Sequence, residues 1–449
     1  MFASSRIDML KGSIWDRLIL FSLPLALTNV LQQLFNTADV MIVGRFVGRD
    51  AMAGVGSMTP VISIFVALFL GLALGANVSI ARYFGKKSDD GIRRASHAAF
   101  FLAFFLGLFC LFLTYPFLED ILDLVGVPSA ISPLSQDYLA YYLLGLPAIS
   151  FYNFAAAMLR SEGDTTSPFI SLFIASVLNI VLNLLAVLVF DLGVKGVALA
   201  TSFSNAVSAI ILFFLLLRRK VFGLRPFFRR IDKNELKTML AIGLPAAIQG
   251  MVFCISNVVV QSAINSLGAD VIAGSAAAFT IEINMYCLMS AFAQAATTFV
   301  SQNYGARNIA RCLRVTKVSL YVTLPLNVCM SLLILFLSPW LLGFFTADPA
   351  VFETAMQRIY FIVLPNAVTI FIDILSGSLR GYGCSLPPAI ATLLAICGIR
   401  IVWVFTVFQT HHTFDWLLAS YPLSWFATAL FIAIVYWRYW ILHLRRASL

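Results

Sequence analysis

Within the stretch LFNTADVMIVGRFVG, residues 34–48, Asp39 lies inside a long apolar run, with no Lys or Arg in the 20 residues before it. A carboxylate in such a setting has three uses. It can bind and release a proton, coordinate a hard cation such as Na+ with other oxygens, or hydrogen-bond across helices. Asn179 and Asn183 stand four residues apart in another apolar run and so share one helix face. Their amides offer carbonyl oxygens to a cation and N–H groups to a carboxylate. The same pair can also simply join two helices.

Further along the chain, Glu282, Asp373 and Arg400 occupy apolar runs, as does Arg358. Glu282 falls about 17 Å and Arg400 about 21 Å along their segments at helical rise. Two readings follow: a Glu282–Arg400 ion pair, or a Glu282 that contacts cationic substrate or a second coupling ion. Asp373, about two turns before Arg380, reads as mostly structural. The 7 cysteines are scattered singly and the 4 histidines form no helical pair, so neither a disulfide framework nor a metal site is expected.

These residues must be positioned by membrane helices. The chain has 449 residues, 61% of them hydrophobic and 11% charged. That is far below the roughly 25% charge of soluble domains. Apolar segments recur at about 17–44, 51–81, 96–118, 134–159, 167–190, 194–217, 239–266, 271–302, 315–343, 354–379, 386–408 and 417–442. Of the 30 Lys and Arg residues, 25 fall at the termini and in alternate loops that share one face; Arg45, Arg49 and Lys195 fall on the other. This predicts an integral membrane protein with both termini cytoplasmic; the expected location is the plasma (inner) membrane of a prokaryote. The net charge of +9 is therefore topological and predicts no nucleic-acid partner. The N-terminus lacks the pattern of a cleaved signal peptide.

The chain repeats itself. VGRDAMAG (47–54) resembles LGADVIAG (267–274), ARYFG (81–85) aligns with SQNYG (301–305), and LRSEGDTTSP (159–168) aligns with LRGYGCSLPP (379–388). All three share one offset, so residues 1–217 and 239–449 are read as two six-helix halves joined by a basic linker, 218–238. An even number of crossings makes the repeats parallel. The expected fold is an all-α polytopic membrane protein, with twelve transmembrane helices in two parallel-repeat six-helix bundles enclosing a central cavity. Such a chain is suited to transport by alternating access. No nucleophile–base constellation points to an enzyme.

The residues also carry a family resemblance. SLPLALTNVLQQLFNTADVMIVGRFVG, SMTPV (57–61), MLRSEGDTTSP (158–168), LNIVLN (178–183), LGVKGVALAT (192–201), GLPAAIQ (243–249), QNYGA (302–306) and SLRGYG (378–383) occur in order. In this the chain resembles the multidrug and toxic compound extrusion (MATE) family over essentially all its spans. The resemblance implies a secondary active antiporter that exports organic compounds, often cationic and amphipathic, in exchange for H+ or Na+. It implies no cofactor, and partners limited to small-molecule substrates, the coupling ion and membrane lipids; the protein is expected to be a monomer. It further implies that Asp39, Asn179 and Asn183 form a cation-coupling network, with Tyr138 and Thr201 as further members. Pro24 is placed to bend the first helix, because proline removes one backbone hydrogen bond; a plain kink is the simpler reading. Where some branches carry a second aspartate this chain has Asn183, and where some carry a glutamate in the seventh span it has Phe253. The alternative function is a lipid-linked saccharide flippase of the same superfamily.

Overall fold

A computed structural model describes residues 6–224, 231–343, 346 and 348–444. Among the described residues the structure is helical throughout, with no strand. Of the linker, residues 225–230, with Arg225, Arg229 and Arg230, lie outside the described set, as do Arg445 and Arg446.

The first half contains α1 (Ile14–Phe46), α2 (Arg49–Lys86), α3 (Asp89–Thr114), α4 (Leu118–Val125), α5 (Ser132–Leu143), α6 (Leu146–Glu162), α7 (Thr166–Leu188) and α8 (Gly193–Arg218). The second contains α9 (Lys233–Asn265), α10 (Ala269–Gly305), α11 (Ile309–Gly343), α12 (Pro349–Val363) and α13 (Ala367–Gly381). It ends with α14 (Leu386–Ala391), α15 (Ile399–Phe405), α16 (Val407–His411) and α17 (Phe414–Tyr439), with a π-helical turn, Thr392–Gly398, between α14 and α15.

Among the described residues, ten helical segments are long and apolar enough to cross a membrane, and two bent pairs, each taken as one span, bring the number to twelve. The bends are 48° between α5 and α6 and 46° between α12 and α13. Each break has a proline beside it, Pro147 or Pro365, which withholds a backbone donor from the preceding turn.

Several helices outrun the apolar segments read from sequence. α2 continues to Lys86, and α9 starts at Lys233. Charge does not end a helix; geometry does. α2 stops where Lys87 turns left-handed, at φ 54°, and its N–H bonds back to the Phe84 carbonyl. Ser88 then caps α3 by accepting from the Gly91 N–H.

The duplication extends to the backbone. Left-handed or related positive φ occurs at Gly48 (132°) and Gly268 (109°), at Lys87 (54°) and Arg307 (58°), and at Gly163 (102°) and Gly383 (79°). Each pair is separated by the same distance in sequence as the aligned motifs. Gly163 shows why glycine stands there: a Cβ would lie 2.5 Å from the Ile7 carbonyl oxygen. The repeated motif continues as an α7 cap, in which Asp164 accepts from the Ser167 N–H and hydroxyl, at 3.0 and 2.7 Å, and from Arg219 at 2.8 Å.

By packing, the chain forms two compact units, Met1–Asp8 with Leu27–Ala247 and Met9–Ala26 with Ile248–Leu449. Two of the three divisions fall inside helices just after a proline, Pro24 in α1 and Pro245 in α9. The first unit has two apolar cores, one around Ala95, Phe154 and Leu212 and one around Met58, Tyr142 and Val197. The second is packed around Val260, Phe408, Leu417 and Ile432.

Candidate functional site

Asp39 occupies the second part of α1, in the first unit, and is 1% exposed. Its two oxygens are held from two other helices. Asn183 of α7 donates to Oδ1 at 2.6 Å, and Thr201 of α8 donates to Oδ2 at 2.6 Å. Asn183 also donates to Asn179 Oδ1 at 3.2 Å, and Asn179 donates to Thr201 Oγ1 at 3.0 Å. The four side chains thus close a ring of hydrogen bonds. Tyr138 of α5 faces the same carboxylate. Helical periodicity explains the convergence: Asn179 and Asn183 are one turn apart on α7, so one helix face supplies both amides.

The electrostatics of the ring are unusual. Among the described residues no Lys, Arg or His pairs with Asp39, and all five side chains of the cluster are buried. Asn183 Oδ1 is buried with no hydrogen-bond partner among the described residues. A carboxylate with two acceptor oxygens and a spare amide carbonyl is a donor set that suits a hard monovalent cation or a proton. Among the described residues no cluster of His, Cys, Asp or Glu suited to a metal ion is present.

In the second unit the structure corrects one sequence reading. Glu282 pairs with Arg358, not with Arg400. Arg358 of α12 donates from Nε to Glu282 Oε1 and from Nη2 to Oε2, both at 3.1 Å, and from Nη1 to Ser275 at 2.7 Å. Depth along a helix gives height in the membrane but not the direction a side chain faces, and α10 presents Glu282 and Ser275 to α12. Arg400 of α15 is instead stacked on rings. Its guanidinium carbon lies 4.2 Å from the centre of Tyr421 and 5.9 Å from those of Phe253 and Trp425, and its Nε donates to Ser424 at 3.1 Å.

Asp373 of α13 is half-buried and makes no hydrogen bond or ion pair among the described residues. Arg380, on the same helix, donates to Gln249 Oε1 at 2.7 Å, and Gln249 donates to Thr392 at 3.0 Å. Pro24 lies within an unbroken α1. The sequence reading missed the partnership of Arg358 and the part played by Ser275. The one available signal was that Arg358 is among the few arginines inside an apolar run.

The duplicated fold and its buried acidic ring narrow the comparison with known proteins. The MatE family pattern matches residues 24–185 and matches again over 245–406. The chain belongs to the MatE family. The two matches repeat the duplication read from the motifs, and between them they contain every candidate residue above except Thr201. This MatE protein is 27% identical, over an alignment of 448 positions that covers 96% of this chain and 94% of the relative, to the probable multidrug resistance protein YoeA of Bacillus subtilis. It is 29% identical over 397 residues, 87% and 85% of the two chains, to the probable multidrug resistance protein NorM of Thermotoga maritima. Its fold matches a crystal structure of a MATE in the bent conformation, with TM-score 0.88 and 22% identity over 98% of both chains. A second family pattern, lipid II flippase MurJ, matches residues 129–272, a stretch that contains neither Asp39 nor Glu282. As a MatE member with twelve candidate spans, the chain is an integral membrane transporter rather than an enzyme.

Proposed function

We propose that this MatE protein is a secondary active antiporter that exports organic compounds, cationic amphipaths among them, in exchange for H+ or Na+ by alternating access. The proposal takes residues 1–217 and 239–449 as its two bundles and 218–238 as their linker, with both termini cytoplasmic. The observation that carries it is the buried Asp39 held in a neutral ring, with no cation among the described residues to balance it. Such a group is costly in a membrane unless a mobile cation visits it.

The ring supports both coupling ions. In the ionised state Asp39 accepts at both oxygens. A proton on Oδ2 makes that oxygen a donor; Thr201 must then accept from it, and the Thr201 hydroxyl hydrogen loses its partner. Protonation therefore reverses the hydrogen bond that links α1 to α8 and leaves one buried donor unsatisfied. A Na+ ion would instead take the Asp39 oxygens and Asn183 Oδ1, drawing α1 toward α7. Pro24, with no N–H to hold the preceding turn, gives α1 a place to bend in response. Glu282, Arg400 and Asp373 belong to this proposal as a candidate second-half site for substrate or ion, with Glu282 already engaged by Arg358.

The test is dye efflux from proteoliposomes under a pH gradient or a Na+ gradient imposed separately. Acceleration by one gradient identifies the coupling ion. Efflux that responds to neither rejects antiport. The MurJ match makes a lipid-linked saccharide flippase the second reading, and a fluorescent lipid-linked saccharide that crosses these vesicles, where dye does not, would favour it.

A further inference from the structure

Arg400 is 1% exposed and among the largest fully buried side chains of the protein. A buried guanidinium is normally paired with a carboxylate that satisfies its fork of donors. Here the carboxylate that sequence offered, Glu282, is taken by Arg358 through both oxygens. Arg400 donates one hydrogen bond, from Nε to Ser424, a neutral hydroxyl that itself donates to the Tyr421 carbonyl. Its terminal nitrogens, the pair that grips a planar oxyanion, have no hydrogen-bond partner and no carboxylate among the described residues.

The surroundings sharpen this. Arg358 and Arg400 face the same Tyr421 ring, at 5.8 and 4.2 Å. Two guanidinium groups and one carboxylate leave the cluster with one uncompensated positive charge. The faces of Phe253, Tyr421 and Trp425 stabilise that charge by cation–π attraction, but they offer no acceptor to the free N–H groups. Phe253 and Tyr421 are only partly buried, whereas Arg400 is 1% exposed, so an incoming group reaches the guanidinium when one of these two rings turns aside. The polarity is opposite to that of the Asp39 ring in the first unit, where an acid lacks a cation.

We propose that Arg400 is an anion-binding residue: the cup of Phe253, Tyr421, Trp425 and Ser424 takes a carboxylate, phosphate or sulfonate carried by an amphipathic compound, so that exported compounds include anions and zwitterions. The proposal rests on the export reading for the compound's fate, but not for its binding.

The test is equilibrium binding to purified protein in neutral detergent, followed by flavin fluorescence, with riboflavin and flavin mononucleotide as probes. They share the ring system and differ by one phosphate. The native chain should bind the mononucleotide at least tenfold more tightly than riboflavin. Arg400→Met should erase the difference and leave riboflavin affinity unchanged. Because that variant could fail to fold, Phe253→Glu provides a second arm: it supplies a built-in carboxylate beside Arg400, so the preference should vanish while thermal stability is kept or raised. Excess phosphatidylglycerol that displaces the mononucleotide assigns the oxyanion to a lipid headgroup, and a mononucleotide that stays bound assigns it to a soluble compound; either places the anion on Arg400. No binding of the mononucleotide, equal affinity for the two flavins, or a preference that survives both substitutions overturns the proposal. Gradient-driven dye efflux is a separate readout: its absence with the phosphate preference intact removes the export reading and leaves the anion site standing.

Discussion

Asn183 donates to Asp39 Oδ1 at 2.6 Å while its own carbonyl oxygen is left buried without a hydrogen-bond partner among the described residues. Asn183 therefore supports the carboxylate and keeps an acceptor in reserve beside it. That combination separates a site for a visiting cation from a plain interhelical clasp, in which each buried polar atom is expected to be satisfied.

The first prediction concerns Asp39 itself. Asp39→Asn keeps the shape and lets Thr201 rotate to serve as donor or acceptor, so the cost in stability should be no more than about 1–2 kcal/mol. Gradient-driven efflux should fall to the level of empty vesicles. Unchanged efflux from a folded Asp39→Asn protein would remove Asp39 from the coupling mechanism.

The ring predicts energetic coupling between helices. Thr201→Val removes the donor to Asp39 Oδ2 at nearly constant volume. With Asp39→Leu, which also removes the contact, it forms a double-mutant cycle, and the coupling energy measured by thermal or denaturant unfolding in detergent should be about 0.5 kcal/mol or more. Additive effects would mean that the 2.6 Å contact contributes nothing to holding α1 on α8.

How much of this was legible in the sequence depends on the residue. Asp39 announced itself, because one acid in a long apolar run has few innocent explanations. Asn179 and Asn183 followed from helical spacing. Thr201 did not: α8 also carries Ser202, Ser204, Asn205 and Ser208, and nothing in their order says which one faces α1. Only the family resemblance singled it out. The partner of Glu282 was misjudged for a related reason. Residue counting places a group along a helix axis, but rotation about that axis is decided by packing. The break between α12 and α13 adds a 46° bend that no apolar run records.

The Glu282–Arg358 pair predicts compensation on double substitution. Each single change, Glu282→Gln or Arg358→Met, leaves a buried polar or charged partner unsatisfied and should cost about 3–5 kcal/mol. The double variant Glu282→Leu with Arg358→Met removes both charges and should regain most of that loss in thermal unfolding. If it also recovers efflux, the pair is structural; if it folds but does not transport, Glu282 or Arg358 acts on substrate or ion.

The last prediction concerns the seam between α2 and α9 within the first unit. A Cβ at Gly75 would lie 2.1 Å from the Met239 carbonyl oxygen, and one at Gly71 would lie 2.3 Å from the Ala247 Cα. Both clashes are with backbone, so no side-chain rotation relieves them. The two helices meet on small residues because a membrane offers little hydrophobic drive for association, and close backbone packing takes its place. Gly75→Ala should therefore force α2 and α9 apart and lower stability by about 1–3 kcal/mol. Gly56, on the same helix, has nothing within 4 Å of its Cβ position. Gly56→Ala should be neutral, or stabilising by about 0.5–1 kcal/mol through helix propensity. Thermal unfolding of the two variants side by side in one detergent checks the contrast. Equal effects at the two positions would show that glycine on α2 serves helix flexibility rather than the approach of α9.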